Sequence, residues 1–263
     1  MEIDLCPSVT LQMGTFSAVV ATVDMFTASL NANKELQRFI FLYVSFFTGL
    51  FGSVCNECSN KMSNNVKIGG EIEYFGLQNW WMNDLTDEER NTIISIYQPF
   101  GLNKNSLIEG KITYSSQTAI AFLTGLLTWF KKPEYQKISS KIIKKIESLS
   151  IKSASVLDKH FFYHAKIGTF YRNRNTDESA LSGAIEACKQ QISISGKAKK
   201  AFLREYPRSL LPSHTGYNQL CIILEKQKNY YEVIRLALNA KKEGWAGDWD
   251  KRIERCLKKR DTN

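Results

Sequence analysis

Between Gly216 and Cys256 the chain reads "GYNQLCIILEKQKNYYEVIRLALNAKKEGWAGDWDKRIERC". Apolar residues recur there every three or four positions, the spacing of one helical face, through two amphipathic helices, a glycine stop and the start of a third helix. A hairpin of this kind leaves an apolar face uncovered, so it predicts a stack of similar units rather than an isolated motif.

From Glu71 onward the chain carries the same punctuation. In "NDLTDEERNTIISIYQPFG" Thr86 and Glu89 form a capping box, and Pro99 with Gly101 stops the helix. "SSQTAIAFLTGLLTWFKKPEYQKISSKIIKKIESL" predicts a serine-capped apolar helix to about Phe130 and a break at Lys131–Pro133. A second helix follows with Ile138, Ile142 and Ile146 on one face. "DKHFFYHAKIGTFYRNRNTDESALSGAIEACKQQI" predicts a further hairpin turning at Asn175–Asp177, and a basic helix, "GKAKKAFLREYP", precedes Pro207 and Pro212. The expected fold class is all-α.

Residues 1–70 differ in character. They hold an uncharged stretch, "FIFLYVSFFTGLFGSVC" at 39–55, followed by an Asn-, Ser- and Gly-rich linker at 55–70. Its seventeen residues stand at the lower edge for a membrane span, and basic residues on both sides give no orientation signal. A buried core helix is the favoured reading, with a membrane anchor as the alternative. Two regions result: a hydrophobic N-terminal helical region with its linker, 1–70, and a helical repeat domain, 71–263.

Gly216–Trp245 carries Tyr217, Leu220, Cys221 and Leu224 on its first helix, then Val233, Ala237 and Ala240 on its second. The earlier hairpin carries His164, Ile167, Gly168 and Tyr171, then Ala180, Ala184 and Ala187. This succession of aromatic, Leu and small residues, with small residues at the helix crossing, resembles the tetratricopeptide (TPR) family. The two registers lie 53 residues apart, the insert "ISGKAKKAFLREYP" accounting for the excess over the family's ~34. Val233 stands where the family prefers Ala, and Trp245 where it prefers Pro. The resemblance implies an irregular TPR-like stack acting as a protein-recognition scaffold, with a partner segment held in the concave groove. In addition, "WWMNDLTDEER" and the C-terminal run resemble a group of bacterial helical proteins, a likeness that carries no function with it.

The formal charge of +9 lies wholly in the last quarter of the chain. Residues 1–188 hold 18 basic and 18 acidic residues, whereas 189–263 hold 17 and 8. Such asymmetry suits an acidic protein segment, a nucleic acid or an anionic membrane. The terminal helix "GDWDKRIERCLKK" would cover the open end of the stack, capped by Asp248, with Trp249, Ile253 and Cys256 or Leu257 inward and Lys251, Arg252, Arg255, Lys258 and Lys259 outward. Those five cations form one candidate partner-binding set. Trp80 and Trp81, the densest aromatic patch outside the N-terminal stretch, form another: they either seal the seam between the N-terminal segment and the repeats, which is favoured, or stand exposed as a partner anchor. The favoured partner is a protein or peptide, with an acidic segment suited to the basic terminal helix and nucleic acid as the alternative.

No secretory signature is present, so the six cysteines are expected as reduced thiols in a cytoplasmic protein. Cys188 and Cys221 lie on apolar helix faces and are expected to pack as small hydrophobes. Cys55-x2-Cys58 and His160-x3-His164 each have half the spacing of a zinc site, but the pairs are too far apart in sequence for the usual motif. No metal or cofactor is expected, His164 is expected inside its hairpin, and His160 at the surface. With no nucleophile elbow, phosphate-binding glycine loop or dinucleotide fingerprint, a non-enzymatic role is expected.

Overall fold

Two adjacent glycines fasten residues 69–72 to the segment around Ile108. Gly69 and Gly70 donate their N–H groups to the carbonyls of Ile108 and Gly110, both at 2.8 Å, and Glu71 and Ile72 donate to Ser106 and Leu107. Gly70 has φ +60°, and a Cβ there would lie 2.3 Å from the Ser106 oxygen. Only glycine admits both that conformation and that approach. The computed structural model describes residues 68–101 and 105–261. The stretch 39–55 and the pair Cys55 and Cys58 lie outside the described residues. Among the described residues the fold is all-α, with eleven helices, a 3-10 turn at Pro133–Tyr135 and an isolated bridge between Ser213 and Ala246. All of them except Ile68 belong to one unit, Gly69–Asn263.

Helices α1 (Gly70–Tyr74), α2 (Gln78–Asn83) and α3 (Asp87–Ile96) form the first layer. The capping box opens α3: Thr86 Oγ1 accepts from Glu89 N, and Glu89 Oε2 accepts from Thr86 N at 2.8 Å. The same Glu89 oxygen takes Lys141 Nζ at 2.5 Å, tying α3 to α5. Arg90 reaches back to the carbonyls of Trp81, Met82 and Leu85 with one nitrogen, closing the C-terminal end of α2. Phe75 stacks on Phe122 at 4.7 Å and Tyr97 meets the same ring edge-on, so the layer packs against α4.

Helices α4 (Ala119–Leu127) and α5 (Gln136–Ser153) form the hairpin expected over 115–149. Its cap is Thr118 and not a serine: Thr118 Oγ1 accepts from Ala121 N at 3.0 Å. Ile138, Ile142 and Ile146 are buried along one face of α5.

The remaining helices are α6 (Val156–Arg172), α7 (Glu178–Ser193), α8 (Ser195–Glu205), α9 (Thr215–Lys226), α10 (Tyr230–Glu243) and α11 (Trp249–Asp261). Helices α6 and α7 pack as one hairpin and α9 and α10 as the next. Helix α9 also packs on α7, α8 lies mainly against α6, and α11 covers α10. Ala180, Ala184 and Ala187 on α7, and Val233, Ala237 and Ala240 on α10, are fully buried. Small side chains there let the helices approach closely, so both rows fall where the sequence pattern puts them. Helix α10 ends at Gly244 in the left-handed region, φ +87°, where the N–H groups of Gly244 and Trp245 both reach the Ala240 carbonyl. A continuous apolar core runs from Leu157 to Cys256 and includes Cys188 and Cys221 as buried free thiols. Burial pushes the Cys188 thiol up to about 12 and the Cys221 thiol up to about 11.

Candidate interaction surface

The two sets of candidate residues meet different fates. Trp80 and Trp81, on α2, are each 2% exposed, and their rings meet at 6.3 Å inside the fold. They are core residues and not a partner anchor: α2 is short, and its successive tryptophans turn inward beneath the loop that Arg90 fastens. Met82, the next residue, is the exposed one.

On α11, Trp249 and Cys256 are buried, and Asp248 supplies the carbonyl that receives the first-turn N–H of Arg252. The five cations are not equivalent. Arg252 donates Nη1 to Glu225 Oε1 at 2.9 Å, and its side chain is only 16% exposed. Arg255 forks onto both oxygens of the same carboxylate, Nη2 lying 3.0 Å from each. Glu225 on α9 therefore joins α9 to α11 through two guanidiniums, a planar geometry that lysine would not reproduce. Arg252 is thus a fastening between helices more than a contact offered to solvent. Lys251 is exposed, and Lys258 pairs with Glu254 at 2.8 Å.

Across α9 a second group of cations gathers around Tyr171, at the end of α6. The Arg174 guanidinium lies 4.2 Å from the Tyr171 ring centroid, held there by an Nη1 hydrogen bond of 2.7 Å to the Tyr171 carbonyl. Lys226, the last residue of α9, donates to the Tyr171 hydroxyl at 3.2 Å. Glu225 and Lys226 are consecutive, so the first turns toward α11 and the second toward α6. One turn earlier on the same side stands Ile222, 37% exposed. This surface spans α6, α9 and α11 with cations at both edges and an apolar residue between them.

All three histidines of the chain lie on α6 or at the start of α9. His160 is buried and His164 exposed, the reverse of the expectation from sequence. His160 stacks on Trp245 at 5.6 Å and meets His214 edge-on at 5.1 Å. His164 Nδ1 lies 2.5 Å from the Thr215 hydroxyl at the start of α9. His214 caps α9: its Nδ1 accepts the Tyr217 N–H at 3.3 Å, which requires that nitrogen to be deprotonated. Burial, and secondarily charge on the neighbouring histidines, lowers both His160 and His214 to about 3. Gln191 fastens the same seam, donating to the His160 carbonyl at 2.9 Å and accepting from Gly216 N at 2.6 Å. Trp245, where the family pattern has proline, is therefore a packing residue of the aromatic seam.

Among the described residues no three His, Cys, Asp or Glu side chains gather in a metal-binding arrangement. No described helix is long and apolar enough to cross a membrane. Comparison with protein-family models, curated proteins and solved structures returned no significant match. The Tyr171 group escapes a reading of the sequence because Tyr171 and Lys226 are 55 positions apart. The one signal is the 53-residue offset between hairpin registers, which sets the ends of α6 and α9 side by side.

Proposed function

We propose that residues 71–263 form a TPR-like protein-interaction module, non-enzymatic and cytoplasmic, that holds a partner segment on the surface of α6, α9 and α11. The observation that carries this reading is the recurrence of one spacing in two successive hairpins. Ile167 with Ala180, Ala184 and Ala187, and Leu220 with Val233, Ala237 and Ala240, take equivalent buried positions. A terminal helix then covers the last unit. Stacked hairpins of this kind present their first helices side by side as an extended surface. The surface has mixed charge: Glu225, Asp250 and Glu254 interleave with the cations of α11. That pattern suits a polypeptide better than a phosphate backbone, which demands a continuous basic track.

The test is capture by the tagged intact protein, in parallel with titration of random single- and double-stranded oligonucleotides. The reading expects a protein partner that is lost when Ile222→Arg is introduced and kept when Leu238→Arg, on the exposed side of α10, is introduced. Oligonucleotide binding whose affinity falls with salt by about one logarithmic unit per phosphate neutralised, and which Lys251→Glu with Lys258→Glu abolishes, would instead establish nucleic-acid recognition.

A further inference from the structure

We infer that the Tyr171 group is an anion-recognition site, and that it and the Arg255 edge together select an acidic polypeptide segment with an apolar residue between its carboxylates. The inference rests on the interaction-module reading and names the chemistry of the partner.

Two cations are brought to one tyrosine without a carboxylate to balance them. Arg174 lies 4.2 Å and Lys226 5.8 Å from the same ring centroid. The ion pairs among the described residues include neither of them. Asp177, the carboxylate nearest Arg174 along the chain, caps α7 through the Ser179 N–H and hydroxyl, and accepts from Gln136. Like charges so placed repel, and here the aromatic ring, a backbone carbonyl and a phenol hydroxyl hold them instead. Stacking and the carbonyl bond occupy one face and one N–H of the Arg174 fork. Its remaining donors, and two of the three on Lys226, are left to a ligand. A carboxylate settling between them would make charge-assisted hydrogen bonds to groups already ordered, which lowers the entropic cost of binding.

The opposite edge has the same sign. Arg252 and Arg255 share the single carboxylate of Glu225, leaving one positive charge in excess. Ile222 stands between the two edges. A segment crossing α9 would meet cation, apolar side chain and cation in turn. The acidic residues interleaved along α11 would repel a phosphate backbone, while a peptide can place neutral residues opposite them.

The experiment is fluorescence anisotropy of the full-length protein with a short labelled peptide of Asp and Glu interspersed with Leu. The same peptide with Asn and Gln in place of the acids, and a single-stranded oligonucleotide, serve as comparison probes. Arg174→Gln and Lys226→Gln are each expected to weaken acidic-peptide binding roughly tenfold or more, the loss of a charge-assisted contact. Tyr171→Phe, which keeps the ring and removes the hydroxyl that orients Lys226, should weaken it less. Lys111→Gln, a charge change at an exposed lysine of the loop between α3 and α4, should leave it unchanged, and thermal melting should confirm that each variant folds. The inference is overturned by absence of acidic-peptide binding, by an equal loss in Lys111→Gln, or by tighter oligonucleotide binding lost in the same variants. A natural partner sensitive to Ile222→Arg but bound equally by Arg174→Gln and Lys226→Gln would overturn this site while leaving the module reading in place.

Discussion

The imidazoles of His160 and His214 meet edge to face at 5.1 Å, one presented by the first hairpin and the other capping the first helix of the next. Both are neutral there, and burial holds each at about 3 against an ordinary value of 6.5. The unfolded chain therefore binds protons that the folded chain refuses. Their stabilisation is complete above pH 6.5 and is lost as pH falls toward 3. Between pH 7 and pH 5 the loss is about 2 kcal/mol for each histidine. Chemical denaturation at several pH values measures it. His214→Asn keeps a capping acceptor and removes one titrating group, so its pH dependence should be shallower. Equal stability at pH 7 and pH 5 would contradict the buried neutral pair.

Glu71 has the opposite sign. Burial raises its carboxyl to about 7 from an ordinary 4.5, against the lowering effect of the Tyr97 hydroxyl, which donates to Oε1 at 3.2 Å. Stability is complete below pH 4.5 and is lost as pH rises through 7, by up to about 3 kcal/mol. Glu71→Gln should stabilise the protein at pH 8 and have little effect at pH 4.5. An unchanged midpoint at pH 8 would show the carboxylate to be well solvated.

Ala240 is fully buried where α10 crosses its neighbours, and its carbonyl receives the N–H groups that end the helix. Ala240→Leu should overpack the crossing and cost roughly 1–3 kcal/mol in equilibrium unfolding. Leu238→Ala, on the exposed side of the same helix, should change stability by no more than about 0.5 kcal/mol. Similar midpoints for both variants would contradict the register of the hairpin.

A Cβ on Gly216 would lie 2.9 Å from both the Cys188 carbonyl and Gln191 Oε1. Gly216→Ala should therefore push α9 off α7 and break the Gln191 clamp, costing about 1–3 kcal/mol. A midpoint equal to that of the unmutated protein would mean that α9 does not seat against α7 as described.

Most of the secondary structure was legible because it rests on local chemistry. Thr86 and Glu89 are three residues apart and cap each other, Ile138, Ile142 and Ile146 repeat at helical spacing, and Cys188 and Cys221 sit on faces that could only turn inward. The site was less legible. The sequence assigned His164 to the interior and His160 to the surface because both lie one turn apart on α6. The choice depends on where Trp245, Phe202 and His214 arrive from other elements. Trp80 and Trp81 were ambiguous because an aromatic pair serves a core or an interface equally well. Arg252 looked like its neighbours on α11 until Glu225, 27 positions earlier, claimed it.

The most direct measurement of the central claim is site-specific photo-crosslinking of the intact protein, with the photoreactive residue placed at position 222 or at position 238. If α6, α9 and α11 present the partner-binding surface, the protein captured by affinity purification should crosslink from position 222 and not from position 238. Peptide mapping should then place an acidic segment of that partner at the crosslink. Crosslinking from position 238 alone, or from both positions equally, would contradict the assignment of the interaction to this surface.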